Sequence, residues 1–123
     1  MTDASKQQTL ADALGHLVGG VLSSVEFVAD YVQLRFNGPC MTAYTPPIVT
    51  RGSQSVGIGQ PGYRDALCDE IGRRVERAEI SDRRVSILFE NGVAVSISLR
   101  DDDYRGAEAL QFSLDDDDRI WVA

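Results

Sequence analysis

The sequence predicts an α+β fold: a tandem α-β-β-β repeat whose antiparallel sheet or sheets are covered by two helices. Three observations carry that expectation. Laid on itself with a shift of 53, the chain aligns without a gap over positions 12–36, where seven of 25 residues are identical. These are Asp12-Ala13-Leu14 on Asp65-Ala66-Leu67, Gly19 on Gly72, Glu26 on Glu79, Val32 on Val85 and Phe36 on Phe89. Self-similarity of this kind marks a copied module. In each half a stretch with apolar residues at alternate positions has the period of a half-buried strand. Both halves then reach an Asn-Gly pair, Asn37-Gly38 and Asn91-Gly92, which tolerates the positive φ of a tight hairpin turn.

Each half opens with an amphipathic helix. Leu10, Leu14, Leu17, Val18 and Val21 recur at helical spacing, and so do Tyr63, Leu67 and Ile71. Ser5 and Gln8 have the spacing of a capping box ahead of the first. A strand is expected near 24–29 and its counterpart near 75–80. The next strands turn Val32, Leu34 and Phe36 inward in one half, and Val85, Ile87 and Phe89 in the other. The return strand of the second half alternates Val93, Val95, Ile97 and Leu99. In the first half it runs through Met41, Ala43 and Thr45 and stops at Pro46-Pro47, which cannot continue a central strand. Two further strands are expected near residues 110–114 and at Ile120-Trp121-Val122. The result is a single domain of two repeats, approximately 5–45 and 62–123, joined by a Gly/Pro-rich loop over 46–61.

At 43% hydrophobic and 25% charged residues, the composition is that of a globular chain with material for one core. No apolar run approaches the roughly 20 residues that span a bilayer. The N-terminus lacks a basic-then-apolar leader, so a cytoplasmic location is expected, with Cys40 and Cys68 as reduced thiols. The formal net charge of -7 is uneven: residues 101–123 hold eight acids against Arg105 and Arg119. Such a field repels nucleic acid and anionic membrane and attracts a basic partner.

Gly57, Gly59 and Gly62 fit the pattern G-x-G-x-x-G. In a dinucleotide site those glycines follow a buried parallel strand and open a helix. Here residues 46–56 precede them with no hydrophobic strand, so the glycines read as a connector and no cofactor is expected. At 17 residues, 46–62 is long enough to serve as a partner-contact or ligand-gating loop. His16 is the only histidine, which leaves little for a triad or a histidine-rich metal site. Cys68 and His16 would form a nucleophile pair only if the two helices lay side by side; the ordinary role of such a cysteine is a small core residue. The aspartate runs lack the glycine turn and terminal glutamate of an EF-hand. Arg73, Arg74, Arg77, Arg83 and Arg84 lack the interleaved aromatics of a nucleic-acid stripe. They are expected to pair with the chain's own aspartates or with a second subunit.

No enzymatic activity is therefore expected, and the candidate site is a docking surface. Asp101, Asp102, Asp103, Asp115, Asp116, Asp117 and Asp118 would meet a basic protein partner, with Tyr104 and Trp121 as aromatic anchors. Trp121 also has a competing place in the core, because it alternates with Ile120 and Val122. The alternatives are a structural domain that forms a homodimer through a sheet edge, and a small-ligand site or enzyme using the 46–62 loop.

The stretches Gly62-Tyr63-Arg64-Asp65-Ala66-Leu67-Cys68 with Ile71-Gly72, and Ser98-Leu99-Arg100 with Tyr104-Arg105-Gly106 and Glu108-Ala109, resemble those of small uncharacterised bacterial proteins. In size and acidity the chain is similar in general character to immunity proteins of bacterial toxin systems. That resemblance implies a non-catalytic cytosolic inhibitor that binds over the active site of a cognate toxin. It gives no individual residue a role.

Overall fold

The computed structural model describes residues 9–104, 106–114 and 120–123. The protein is mainly β, with little helix. Helix α1 (Leu10–Leu14) is followed by β1 (Ser24–Val28), β2 (Tyr31–Arg35), β3 (Cys40–Ala43), β4 (Ile48–Arg51) and β5 (Gln54–Val56). The same order then recurs: α2 (Tyr63–Cys68), β6 (Val75–Ile80), β7 (Arg84–Phe89), β8 (Ala94–Ser98), β9 (Leu110–Ser113) and β10 (Ile120–Val122). The strands form two five-stranded antiparallel sheets, β1-β2-β3-β9-β10 and β5-β4-β8-β7-β6. Each sheet thus joins the three-stranded meander of one half to the closing hairpin of the other.

Two expectations are corrected. The stretch 46–61, read as a connector, contains the β4–β5 hairpin, in which Val49 pairs with Val56 and Arg51 with Gln54. The double proline does end β3, but the chain re-enters a sheet directly after it, with Ile48 opposite Ser96 on β8. The helices, expected to cover a sheet, are five and six residues long. α1 gives way to a 3-10 turn over Gly15–Leu17 and ends before Gly19, whose φ of 84° is left-handed. Gly72 plays the same part after α2, at φ 92°. Only glycine adopts that conformation without steric cost. The helical stripe is therefore cut short, and Val18 and Ile71 remain 50% and 43% exposed. The start of α1 is capped by Thr9, whose hydroxyl accepts the Asp12 N–H at 3.2 Å; the proposed capping pair Ser5 and Gln8 lies outside the described residues.

The strand faces follow the alternation. Val32, Leu34, Phe36, Met41, Ala43 and Thr45 are buried, as are Val85, Ile87, Phe89, Val93, Val95 and Ile97. With Leu14, Leu17, Tyr63 and Leu67 from the helical turns, both sheets contribute to one apolar core. Full burial of a Val, Leu, Ile, Phe or Met side chain there stabilises by roughly 1.5–3 kcal/mol. The two Asn-Gly turns differ in detail. Asn37 and Gly38 both take positive φ, whereas in the second turn only Gly92 does. There Gly92 N–H donates to Phe89 O at 3.0 Å, and the Asn91 side-chain oxygen accepts the Val93 N–H.

α1 and its 3-10 turn pack against β6, while α2 packs against β1 and β4. Between them, residues 19–22 and 72–75 pair antiparallel around a bridge from Val21 to Arg74. Gly19 N–H donates to Val75 O at 2.9 Å and Gly72 N–H to Leu22 O at 2.8 Å. Leu22 N–H donates to Arg73 O, and Val75 N–H to Gly20 O. Each bond maps onto its fellow when residue numbers shift by 53, as two copies related by a two-fold axis would require.

Candidate functional site

The aspartate turn is built by the end of β8. Ser98 hydroxyl donates to the Asp103 carboxylate at 2.6 Å and itself accepts the Arg100 N–H at 3.2 Å. Asp103 N–H donates to Arg100 O and Tyr104 N–H to Asp101 O, closing a single 3-10 turn over Asp101–Asp103. Leu99 N–H, donating to Arg83 O at 2.7 Å, ties its base to the neighbouring β6–β7 turn. Three exposed aspartates therefore sit on a fixed backbone, Asp103 turned back onto Ser98, and Tyr104 follows half-buried. Asp115, Asp116, Asp117 and Asp118 lie outside the described residues. Trp121 belongs to the other sheet, on its edge strand β10, where its ring is tilted at 6.3 Å from Phe112. It is half-buried at the margin of the core, so the aspartate turn and this aromatic group are carried by different sheets.

A second feature lies at the end of the 46–62 loop, the alternative ligand site of the sequence reading, and its β1 wall was not foreseen. The end of β1 and the loop before α2 enclose a groove of about 750 Å³. Phe27, Val28 and Ile58 line it and stay 36%, 42% and 52% exposed. The Tyr63 ring meets Phe27 edge-on at 6.5 Å, and the Arg64 guanidinium lies 5.5 Å above the Phe27 ring. A cation over an aromatic face is held by the ring quadrupole. The Tyr63 hydroxyl, at the buried end, donates to Pro47 O at 2.7 Å. Phe27 and Val28 read as ordinary strand residues; only their adjacency at a strand end hinted that one of them would lack a core face.

Gly59 and Gly62 of the glycine pattern line this groove, and the pattern is no phosphate cradle. It follows β5, an antiparallel strand, and Gly57 N–H is already taken by the Gln60 side-chain oxygen at 2.6 Å. Among the described residues, no group of three His, Cys, Asp or Glu side chains converges as metal ligands. Cys68, expected in the core, is exposed, and Cys40 is half-buried. Burial pushes the Cys40 thiol above its ordinary value, against a smaller downward pull from Arg35, the reverse of what a nucleophile needs. Of the arginine run, Arg77 meets Glu79 at 3.3 Å and Arg74 donates to Gly19 O at 2.7 Å, so among the described residues these two pair with groups other than an aspartate.

Comparison with protein families, with curated proteins and with solved structures found no match. No helix among the described residues is long and apolar enough to cross a membrane.

Proposed function

We propose that the protein is a non-catalytic binding protein that docks an acidic surface onto a basic protein partner, in the manner of an immunity protein covering a toxin. The observation that supports it is the aspartate turn: three adjacent exposed aspartates on a backbone already fixed by Ser98. Preset charges lose little freedom on binding and accelerate encounter with a cationic surface. A tandem copy of one unit, here a helix followed by five strands, accounts for the recurring element order. The test is replacement of Asp101, Asp102, Asp103 and Asp115 to Asp118 by serine. Capture of a basic partner from the source cell, strong at low salt, is expected to fall about tenfold or more, as removal of several steering charges implies. Unchanged capture at low salt would rule the acidic surface out.

The groove favours a second reading, binding of a small apolar ligand or side chain, because its aromatic and aliphatic lining remains exposed around Arg64. Ile58→Asp would then abolish binding while the aspartate variant would not.

A further inference from the structure

We infer that the solvent face of the second sheet carries a binding site for a small phosphate-bearing dianion. In the ladder Arg84 of β7 lies opposite Ser98 of β8, and Ser96 lies opposite Ile48 of β4. Directly opposed residues share a face, and it is the outer one, because Val85, Ile87, Val95 and Ile97 point into the core. The β6–β7 turn adds Ser81 and Arg83, and the turn after β8 adds Arg100 and Asp103. Together they line a cleft of about 340 Å³, the size of a small-molecule site.

Among the described residues none of these three guanidinium groups has a hydrogen-bond or ion-pair partner, whereas Arg35, Arg51 and Arg77 each face a glutamate. Their backbones, by contrast, are pinned. The Ser81 hydroxyl accepts the N–H groups of both Arg83 and Arg84 at 3.2 Å, and Ser98 accepts that of Arg100. Three like charges converging on one cleft repel one another, and a dianion relieves that repulsion. The charge count selects the ligand. The residues that line the cleft, three guanidiniums and the Asp103 carboxylate, leave two positive charges facing the roughly 1.5–2 negative charges of a phosphomonoester at neutral pH, with Asp82, Asp101 and Asp102 on the same turns outside the lining. Planar guanidinium forks suit tetrahedral phosphate oxygens approached from separate sides. The Ser98 hydroxyl is committed to Asp103, which leaves the Ser96 hydroxyl as the neutral donor.

The site shares Asp103 with the acidic turn but does not rest on the basic-partner reading, and it is tested separately, by backbone NMR titration of the full chain at constant ionic strength. The two probes are inorganic phosphate and glycerol 3-phosphate. Saturable shifts are expected at residues 81–84 and 96–103 with either. Tighter binding of glycerol 3-phosphate identifies an organic phosphoester as the ligand; equal binding identifies free phosphate. The pair Arg84→Gln and Arg100→Gln is expected to weaken binding about tenfold at an unchanged melting temperature, while Asp103→Asn tightens it by removing the opposing charge. The proposal is overturned if sodium chloride gives the same shifts, if the shifts do not saturate, or if the double arginine variant binds like the wild type.

Discussion

Glu70 is fully buried, yet only one of its carboxylate oxygens has a partner. That oxygen accepts from the Asn91 side-chain amide at 3.3 Å and faces the largely exposed Arg51 guanidinium at 3.9 Å. A long contact to a hydrated cation contributes little, whereas a buried acceptor that loses its donor keeps the whole desolvation penalty. Asn91→Ala is therefore expected to destabilise by about 1–3 kcal/mol, and Arg51→Ala by about 0–1 kcal/mol, in urea unfolding. The two thiols should separate as clearly. Cys40 is half-buried with its ionisation pushed up, so it stays protonated to higher pH than a free thiol, and the stability linked to that proton fades only as pH climbs past the ordinary thiol range. Iodoacetamide at pH 8 is expected to label the exposed Cys68 first, with mass spectrometry of the timed digest as the check.

Among the elements, the glycines that end the two helical segments set where α stops and β begins. Both Gly19 and Gly72 have open space where a side chain would sit, so a substitution there strains the backbone without a clash. Gly19→Ala and Gly72→Ala are each expected to cost about 1–2 kcal/mol in thermal or denaturant unfolding. The meanders were legible in the sequence because β2, β7 and β8 bury one side only, which writes a period of two into the residues. The β4–β5 hairpin was not, because β5 is three residues long and largely exposed, leaving no apolar rhythm to read. The helices were overdrawn because Val18 and Ile71 continue the helical spacing past the point where the chain has already turned. At the candidate site, the exposure of Asp101–Asp103 was readable from charge alone. Of the groove only the loop wall was, through the length of 46–62; the β1 wall was not, since Phe27 and Val28 have the same composition as core strand residues and only the tertiary arrangement leaves them uncovered. Of the arginine cleft only Arg83 and Arg84 stood out, within a longer sequence cluster; the ladder register places Arg84 beside Ser98, and the turn after β8 brings Arg100.

At the scale of the molecule, neither half owns a complete sheet. Because β9 and β10 extend the first meander and β4 and β5 extend the second, loosening one half removes strands from both. Unfolding should be one transition. Trp121 is the single tryptophan and sits on the first sheet, so its fluorescence reports that sheet while far-UV circular dichroism reports both. The two urea curves are expected to coincide, and two separated midpoints would show that the halves melt independently. The exchange of closing hairpins also bears on what happens when the backbone is cut. A protease that nicks the exposed Gln60–Gly62 segment severs the only covalent link between the halves while leaving every ladder intact. The two fragments would remain clasped, each supplying two strands the other lacks, and would part only under conditions that melt the whole fold.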